Sequence, residues 1–405
     1  MEDIILIHEC ATGFKESSVP GVQSFVDRAM LMPGSLAIVG GKSRRSEVAA
    51  YFGYLSQVSI GPCSLRLSDD LMNPEVEVQK DILNRVEKGA KIQFFCSTAA
   101  EEALVKKLGL RWEKNVFAPP PALYEKANDK ASVRRLAFDL GQPETFPPHE
   151  IVPMSRVVSS VIHFWNLGHA VVVKLPHLVS GDGMAYLLVG DQKTMREWIG
   201  RHKGYTGEVI VEQAFYSHVP MSYEWKLFDD GPKPVCATAQ IIHGNGFSHV
   251  GNYLARDNHG LPGVKDDDIW EMHRLSYTFV NHYYVLGYRG VIGFDFIKTE
   301  RGRVYMLECN GRVTATTYAA AVGRQIDNRV HDWAIAMEVI SIGKQVNDFA
   351  ALTAEMKHLL YHGSYGILPF LPRLLPQRLG LMAIAPNAEK AGDMLDDVKK
   401  RLEAY

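Results

Sequence analysis

Residues 290–312, GVIGFDFIKTERGRVYMLECNGR, have the pattern of a β-hairpin in which each strand carries a carboxylate. Successive side chains of a strand point to opposite faces, so Asp295 lies on the face opposite to its two phenylalanine neighbours. Glu308 and Asn310 are two residues apart and therefore share a face of the second strand. The hairpin can bring two carboxylates and an amide oxygen to one patch between apolar residues.

The register of this hairpin follows from a two-residue connection at Arg301-Gly302, in which glycine supplies a positive φ and Glu300 pairs with Arg303. The same register places Asp295 directly across from Glu308. Like charges directly opposite each other destabilise a sheet, so we expect a cation between them. A small set of hard oxygen ligands suits Mg²⁺ held together with substrate phosphates. The alternative is a solvated face on which both carboxylates contact water.

A second pattern, in residues 171–188, joins a strand-borne lysine to a glycine-rich turn. Lys174 closes the buried strand VVVK, and the turn Ser180–Gly183 can bring backbone N–H groups close to phosphate oxygens. Lys130 begins a helix upstream, and downstream Glu212-Gln213 leave a buried strand whose edge can read adenine with its backbone. Each segment alone has an ordinary structural alternative, such as a solvated lysine, but their order and spacing together favour a nucleotide site.

These motifs resemble the ATP-grasp ligases over about residues 126–343, more than half of the chain. The metal-binding part of the family pattern is D…ExN, and Arg312 extends it to E-x-N-x-R, similar to the arginine that several members place near the reacting phosphoryl and acyl groups. The resemblance assigns the residues by motif: Lys130 and Lys174 to the ATP phosphates, with Lys174 and Arg312 as catalytic residues; Ser180, Gly181 and Gly183 to the loop that covers the phosphates; Glu212, Gln213 and Phe215 to adenine; Glu224 to the ribose hydroxyls; and Asp295, Glu308 and Asn310 to Mg²⁺.

Two features separate this chain from most members of that family. Asp182 places a negative charge within the phosphate loop, where neutral small residues are usual. Lys174 is followed by Leu175-Pro176 rather than directly by proline, so the loop is expected to start one residue late. More narrowly, the short core and the C-terminal sequence GLMAIAPNAEKAGDML resemble the pheganomycin-type peptide ligases, which implies a role in natural product biosynthesis.

The resemblance implies a Mg²⁺-dependent, ADP-forming ligase that joins a carboxylate, of an amino acid or a modified acid, to an amine or peptide through an acyl phosphate. Its partners would be small-molecule or peptide substrates, and its product an amide or peptide bond. Two alternatives stay open. One is a C–N ligase of nucleotide or cofactor metabolism with the same fold, and the other is an ATP-binding interaction module without turnover.

A glycine-rich stretch contains three histidines, His243, His249 and His259, whose spacings fit no compact zinc motif. We interpret residues 243–262 as a mobile lid near the acceptor substrate, because glycines permit closure. Three arginines are candidates to clamp a substrate carboxylate with two hydrogen bonds: Arg256, Arg289 and Arg324.

The elements that must position these residues begin with an α/β segment. In the first 120 residues, strands at 35–39 and 91–96 and a helix capped by Ser97 predict βαβ units and a parallel sheet. The turn Gly40-Gly41-Lys42 either binds phosphate or simply joins a strand to a helix. The second alternative is favoured, because the spacing of both common nucleotide loops is absent.

Ala118-Pro-Pro-Pro121 interrupts this pattern, because consecutive prolines continue neither a helix nor a central strand. Beyond it we predict helices at 129–140 and 387–403 and strands at 170–174, 208–212, 291–298 and 304–310. The predicted class is therefore α/β, of the α+β ATP-grasp type. It comprises an N-terminal parallel-sheet α/β domain at 1–125, a two-lobed ATP-grasp core at 126–343, and a small C-terminal cap domain at 344–405.

The composition is that of a multi-domain globular protein of 405 residues. The 44 Lys+Arg and 46 Asp+Glu residues nearly balance, which argues against a general nucleic-acid binder, because phosphate binding needs surplus positive charge. The five cysteines contain no CxxC pair, which favours reduced thiols. No signal-peptide pattern and no apolar run near ~20 residues is present, so we expect a cytoplasmic protein without a membrane partner. Its oligomeric state stays open, a homodimer included.

Overall fold

The computed structural model describes residues 3–13, 22–40, 45–178, 183–215, 218–243, 248–343 and 346–403. The strands in these ranges are β1 (Ile4–Ile7), β2 (Leu36–Gly40), β3 (Leu65–Ser68), β4 (Lys91–Phe94), β5 (His149–Pro153), β6 (Val171–Lys174), β7 (Met184–Leu187), β8 (Glu208–Gln213), β9 (His218–Phe228), β10 (Gly231–His243), β11 (Ser248–Ala255), β12 (Gly290–Thr299), β13 (Val304–Asn310), β14 (Ala334–Ser341), β15 (Gly366–Phe370) and β16 (Arg378–Ala385).

The α-helices in the same ranges are α1 (Arg45–Gln57), α2 (Val76–Glu87), α3 (Ala99–Lys107), α4 (Trp112–Asn115), α5 (Pro121–Asn128), α6 (Lys130–Asp139), α7 (Val157–Asn166), α8 (Gln192–Arg201), α9 (Asp266–Val285), α10 (Ala315–Ile326), α11 (Phe349–Met356) and α12 (Ala388–Glu403). A 3₁₀ segment covers Val22–Leu31. None of the described helices has the length and apolar character that a membrane crossing needs.

The first four strands form a parallel sheet in the order β3-β2-β1-β4. Parallel neighbours need a crossover, and the 3₁₀ segment, α1 and α2 lie between successive strands. The predicted parallel sheet and its strands at 35–39 and 91–96 are therefore confirmed. The predicted helix cap is wrong by one residue: Thr98, not Ser97, is the N-cap of α3, in a capping box with Glu101.

The second sheet is antiparallel, with the order β5-β8-β6-β7. On one of its faces, Trp198 of α8 packs in an apolar cluster with Val173 and Val211. Because side chains alternate along a strand, Lys174 and Glu212 lie on the other face. The sequence pattern of buried valines thus directs two charged side chains away from the helices that cover this sheet.

The third sheet has eight antiparallel strands in the order β13-β12-β9-β10-β11-β14-β16-β15. The long helix α9 packs on it: Trp225 Nε1 donates to Ser276 Oγ at 2.9 Å, and the Phe279 and Phe294 ring centroids are 6.2 Å apart. The tail strands β15 and β16 join this sheet through β14. Hydrogen bonding thus continues across the boundary predicted at 343/344, and the division into three domains stays a prediction.

The strands predicted at 170–174, 208–212, 291–298 and 304–310 are confirmed as β6, β8, β12 and β13, with small changes at their ends. The two predicted helices in this part of the chain are confirmed as α6 and α12. Asp129 precedes α6 as its N-cap, and its carboxylate accepts a hydrogen bond from the Ser132 N–H. The predicted elements thus exist where the pattern of apolar residues placed them.

The turn between β12 and β13 has three residues, so the predicted connection at Arg301-Gly302 is wrong. The Thr299 N–H donates to the Arg303 carbonyl at 2.9 Å, and Glu300 therefore lies within the turn instead of pairing with Arg303. Gly302 has a φ of 79°, as expected for the left-handed last residue of a three-residue hairpin loop.

A β-bulge further along the same hairpin restores the predicted register. The pairing shifts next to Asp295, where the ladder passes over Leu307 and pairs Asp295 with Glu308. The one-residue difference at the turn is thereby cancelled before the strands reach the carboxylates. The predicted juxtaposition of Asp295 and Glu308 is confirmed, although the turn that was expected to produce it is wrong.

The first prediction concerns Gly251 in β11, where a Cβ would overlap the carbonyl oxygen of Met337 in β14. Gly251→Ala is expected to lower the free energy of unfolding by roughly 2 kcal/mol or more, because backbone inside a sheet cannot move aside. The matched Gly53→Ala lies in α1, where a Cβ meets no atom within 4 Å. It is expected to raise the free energy of unfolding by about 0.5–1 kcal/mol. Urea denaturation measures both, and equal stability of the two variants would contradict the close approach of β11 and β14.

Candidate active site

A cavity of about 690 Å³ is lined by residues of the second and third sheets and by a few residues of the N-terminal part of the chain, namely Phe25, Arg28 and Phe95. The fold brings together around it residues that are far apart in the sequence. Ten of the predicted site residues line this cavity: Lys130, Lys174, Glu212, Gln213, Phe215, Glu224, Asp295, Glu308, Asn310 and Arg312.

The predicted phosphate loop is described only at its end. Ser180 and Gly181 lie outside the described residues. Gly183 has a φ of 68°, and its carbonyl accepts hydrogen bonds from the Leu175 N–H at 3.3 Å and the Trp198 indole N–H at 3.1 Å. This glycine returns the chain to β7 beside the end of β6. It is not one of the residues that line the cavity, and its role toward phosphate stays a prediction.

Lys174 and Glu212 form a buried ion pair together with Arg134, a residue that the sequence analysis did not single out. Lys174 Nζ contacts one carboxylate oxygen of Glu212, and Arg134 Nη2 donates to the other. Arg134 also donates to the carbonyls of Lys130 at 3.0 Å and Leu307 at 3.1 Å. Burial raises the pKa of Glu212, but the two cations outweigh it and hold this pKa below its usual range. Burial lowers the pKa of Lys174 further than Glu212 raises it.

The segment predicted to hold adenine has part of its hydrogen-bonding capacity already used. The N–H groups of Gln213 and Ala214 donate to backbone carbonyls of neighbouring segments at 2.8 and 2.9 Å. The carboxylate of Glu212 is engaged in the ion pair, and the Phe215 ring stacks on Tyr305 with centroids 5.4 Å apart. An adenine edge would therefore have to meet carbonyl groups of this segment or the backbone of Phe215.

Lys130 lies in the first turn of α6 and is buried, which excludes the alternative of a surface lysine. Its Nζ is 3.0 Å from Oε2 of Glu308 and donates to the Leu178 carbonyl at 2.6 Å. The charge of Lys174 also acts on Glu308. Lys130 on α6 thus contacts one carboxylate of the hairpin, and the charge of Lys174 on β6 stabilises the same carboxylate without a contact.

Asp295 and Glu308 pair across β12 and β13, and both line the cavity. The two carboxylate oxygens of Asp295 accept hydrogen bonds from Gln240 Nε2 and Asn310 Nδ2, each at 2.9 Å. Burial, and then the charge of Glu308, raise the pKa of Asp295. Burial also acts against the ionised form of Glu308, but the two lysines outweigh it and hold this pKa below its usual range. The lysines thus stabilise the ionised form of Glu308, and Asp295 is left beside that negative charge.

Asn310 and Arg312 extend this network along the end of β13. Arg312 Nη2 donates to Asn310 Oδ1 at 3.1 Å, and the guanidinium carbon lies 5.6 Å from the Phe95 ring centroid. Asn310 thus directs its nitrogen at Asp295 and its oxygen at Arg312. In this arrangement the amide oxygen that was predicted as a metal ligand is bonded to an arginine.

Glu224 is fully buried in β9, at the wall of the cavity. One of its carboxylate oxygens accepts hydrogen bonds from the hydroxyls of Thr314 and Thr317, both at 2.8 Å. The other oxygen, Oε1, is buried and has no hydrogen-bond partner within the described part of the chain. Burial raises the pKa of Glu224 to about 7. Its predicted contact with ribose hydroxyls stays a prediction.

The described part of the predicted lid begins with a strand, which a 3₁₀ turn at Arg256–Asn258 follows. Ser248–Ala255 forms β11, which pairs with β10 on one side and β14 on the other, so the lid prediction is wrong for these residues. His249 lines the cavity, and its Nε2 contacts Asn252 Oδ1 at 3.2 Å. His259 is exposed, and the side chain of His243 lies outside the described residues.

None of the three arginines predicted to clamp a substrate carboxylate lines the cavity. Arg256 and Arg289 pair with aspartates outside the cavity, and Arg324 is exposed. Two other arginines, Arg28 and Arg378, line the cavity instead. No motif marked them, because their elements come from the two ends of the chain and meet only in the fold.

None of the five cysteines forms a disulfide in the structure. Burial raises the pKa of four of them, which removes the thiolate character that a nucleophile needs. These four are Cys10, Cys96, Cys236 and Cys309.

The sequence matches no protein-family model and no curated protein sequence. Solved structures nevertheless resemble the chain over almost its whole length. N5-carboxyaminoimidazole ribonucleotide synthetase from Thermus thermophilus aligns over 100% of this chain and 99% of its own, with 14% identity and a TM-score of 0.56. Biotin carboxylase from Campylobacter jejuni, in a complex with β,γ-ATP, aligns over 99% and 91%, with 10% identity and a TM-score of 0.55.

A third similar structure is the biotin carboxylase domain of 2-oxoglutarate carboxylase from Hydrogenobacter thermophilus, in complex with MgADP, ADP and bicarbonate. It aligns over 98% of this chain and 89% of its own, with 11% identity and a TM-score of 0.55. These similarities show that the chain has the ATP-grasp fold. The predicted fold class is therefore confirmed.

The second prediction concerns the pH dependence of stability that Glu224 causes. Because the folded protein binds this proton more tightly than the unfolded chain, ionisation of Glu224 destabilises the fold. The cost is absent below about pH 4.5, grows as the pH rises, and is complete above about pH 7, where it amounts to roughly 3 kcal/mol. Glu224→Gln keeps the shape without the charge, and its stability relative to the wild type is expected to increase from pH 5 to pH 8.

Urea denaturation at several pH values measures this difference. The exposed Glu113 supplies the control variant Glu113→Gln, whose stability is expected to follow the wild type at every pH. A difference between Glu224→Gln and the wild type that stays constant from pH 5 to pH 8 would contradict the raised pKa.

Proposed function

We propose that the protein is an ATP-dependent, ADP-forming ligase that makes a carbon–nitrogen bond through an acyl phosphate. The observation that supports this most is the convergence of two lysines, two facing carboxylates and an arginine on one cavity. Structures with the same fold hold the nucleotides named above, MgADP in one and β,γ-ATP in another. We accordingly assign Lys130 and Lys174 to the ATP phosphates, and the segment from Glu212 to Phe215 to the adenine.

The donor set at the hairpin fits Mg²⁺. Asp295 accepts hydrogen bonds from two neutral amides and lies against Glu308, whose charge raises the pKa of Asp295, so a cation between the two carboxylates would relieve the repulsion. Within the described ranges no three His, Cys, Asp or Glu side chains form a complete metal site. That is the arrangement expected where phosphate oxygens and water supply the remaining ligands. When bound, Mg²⁺ neutralises charge on the phosphate oxygens.

In this proposal, an oxygen of the substrate carboxylate attacks the γ-phosphorus of ATP, the bond to ADP breaks, and an acyl phosphate forms. The amine then attacks the acyl carbon, phosphate leaves with the bonding electrons, and the nitrogen loses a proton. Lys130 and Lys174 stabilise charge on the phosphates, and Arg312 stabilises charge on the reacting phosphoryl and acyl groups. No side chain forms a covalent bond to the substrate, in agreement with the raised pKa of the buried thiols.

The substrates are proposed as a carboxylic acid, of an amino acid or a modified acid, and the amine of an amino acid or peptide, so that the product is an amide. The sequence resemblance to the pheganomycin-type peptide ligases is the reason for this choice. A second candidate, a C–N ligase of nucleotide metabolism, is supported by the full-length similarity to N5-carboxyaminoimidazole ribonucleotide synthetase. The two candidates share the nucleotide site and differ in the acid and the amine.

The third prediction concerns Glu308. Glu308→Gln is expected to reduce substrate-dependent ADP release by roughly 100-fold or more, because a charge next to the phosphates is lost without a change of shape. Glu300 lies in the turn of the same hairpin and is exposed, so Glu300→Gln is the matched control and is expected to keep wild-type activity. Near-native turnover of Glu308→Gln, with an unchanged circular dichroism spectrum, would contradict the metal assignment.

The fourth prediction concerns the acyl phosphate. Hydroxylamine is small enough to enter a pocket made for a larger amine. Incubation of the enzyme with Mg-ATP, hydroxylamine and a panel of carboxylic acids is therefore expected to give a hydroxamate of the correct acid. Formation of this hydroxamate should require Mg²⁺ and be almost lost in Lys174→Met, which removes the charge near the phosphates. Mass spectrometry identifies the product, and ADP is measured in parallel.

The by-products separate the alternatives. Release of pyrophosphate and AMP instead of ADP would refute the proposed activation. ADP release that depends on bicarbonate, without a hydroxamate from any carboxylic acid, would favour the second candidate. Binding of Mg-ATP with no release of ADP under any condition would favour an ATP-binding module without turnover.

A further inference from the structure

Arg28 is a cationic side chain of the cavity that the proposed function does not use. It belongs to the 3₁₀ segment Val22–Leu31, which connects β1 to β2. Its guanidinium carbon lies 4.3 Å from the ring centroid of Phe25 and 5.9 Å from those of Tyr318 and Phe370. The side chain therefore lies among aromatic rings at the wall of the cavity.

Arg28 differs from the other cations of the cavity in its partners. Lys130 is paired with Glu308, Lys174 is paired with Glu212, and Arg312 is bonded to Asn310. Arg28 contacts three aromatic rings, and it has no hydrogen bond or ion pair to a carboxylate or a carbonyl in the described ranges of the chain. Arg28 is half-buried. A half-buried guanidinium without a hydrogen-bond acceptor is destabilising to the extent that its lost hydration is not replaced.

Arg28 and Arg312 are like charges that line the same cavity. Burial lowers the pKa of Arg28, and the charge of Arg312 lowers it to a smaller extent. Burial and then the charge of Arg28 lower the pKa of His249, which the hydrogen bond to Asn252 opposes. Groups that repel each other around an open volume are stabilised when an anion enters that volume.

We propose that Arg28 is the anion-binding residue of a substrate subsite, where it holds a carboxylate or a phosphate monoester that is not the reacting group. The apolar part of the same substrate would contact Phe25 and Phe370. Arg28 lies on a segment of the N-terminal part of the chain, whereas the residues proposed to bind ATP and metal lie on α6, β6, β8, β12 and β13. This inference rests on the proposed function, and it makes one of the two substrates a molecule with a second, anionic end.

The geometry favours two parallel hydrogen bonds from the guanidinium to one oxyanion. Arginine presents donors in a planar fork that matches carboxylate and phosphate oxygens, which a lysine cannot reproduce. Aromatic rings accept no conventional hydrogen bonds from this fork, so its N–H groups are the part of the side chain that an oxyanion in the cavity would use.

The test measures binding of simple anions to the full chain by calorimetry and by the midpoint of thermal unfolding. The probes are a panel of L-amino acids, the matching amino-acid amides, and inorganic phosphate, each with and without Mg-ADP. The variants are Arg28→Met and Arg28→Lys. Arg196→Met is the control, because Arg196 is exposed on α8 and donates to the Gln192 carbonyl at 3.2 Å.

We expect amino acids or phosphate to bind the wild type and the control, and the amides to bind neither. The dissociation constant should rise roughly 10- to 100-fold in Arg28→Met and less in Arg28→Lys. Binding of amino acids alone identifies a carboxylate as the ligand, and binding of phosphate alone identifies a phosphate monoester. Without probes, the unfolding midpoint of Arg28→Met should equal or exceed that of the wild type, because a half-buried charge without a hydrogen-bond acceptor in the described chain is removed.

Three outcomes would overturn the proposal: equal affinity of wild type and Arg28→Met, binding of amides as strong as that of the acids, or no binding of any probe to the wild type. A large loss of stability in Arg28→Met would indicate a structural role, and wild-type affinity in a stable Arg28→Lys would exclude the fork geometry. The affinity for Mg-ADP should be the same in all variants. A protein that binds the probes through Arg28 but not Mg-ADP would contradict the proposed function and leave the subsite standing.

Discussion

The hydrogen bonds of Arg134 connect the parts of the molecule that surround the cavity. Its fully buried guanidinium donates to Glu212 in the second sheet, to the Leu307 carbonyl in the third sheet, and to the first turn of α6. Glu212 in turn engages Lys174, so the position of one cation fixes the position of another. Removing one member of a buried ion pair leaves an uncompensated charge, at a cost of about 3–5 kcal/mol. Arg134 does not line the cavity itself, yet the separation between the lysines and the hairpin carboxylates depends on it.

The same arginine explains how the hairpin can contain an irregularity at its most important position. The ladder passes over Leu307, and the carbonyl of that residue accepts from Arg134. The bulge therefore leaves no unsatisfied backbone acceptor at Leu307. It also compensates for the extra residue in the turn, so that Asp295 still pairs with Glu308. Alternation of apolar residues predicted this opposition, because it is a property of the two strands. The turn and the bulge were not predictable, because two different combinations of them give the same pairing and the choice depends on contacts outside the hairpin.

Most strands and helices around the site follow from local patterns, and ten predicted site residues do line one cavity. The failures have a common physical cause. The glycines and histidines of residues 243–262 suggested a lid, but Gly251 is needed for the close approach of two strands inside a sheet. Arg134 and Arg28 carried no motif, because their environments are made by residues distant in sequence. The spacing of residues within one helix or strand predicts the geometry of that element. It does not predict which element from a distant part of the sequence packs against it.

Different parts of the cavity are proposed to bind the nucleotide and the other substrates, so similarity of fold gives little information about those substrates. The cations and carboxylates proposed to bind ATP and metal lie on elements between α6 and β13, and they compensate one another in pairs before any ligand arrives. The rest of the lining includes residues from both ends of the chain, among them Phe25, Arg28, Phe370 and Arg378. An anionic substrate beside these residues would meet Arg28, whose guanidinium has no hydrogen bond to the described part of the chain. The half of the site proposed to bind nucleotide could therefore be shared among ligases with different products. Under the proposed function, residues of the N-terminal segment and the tail would contribute to the choice of substrate.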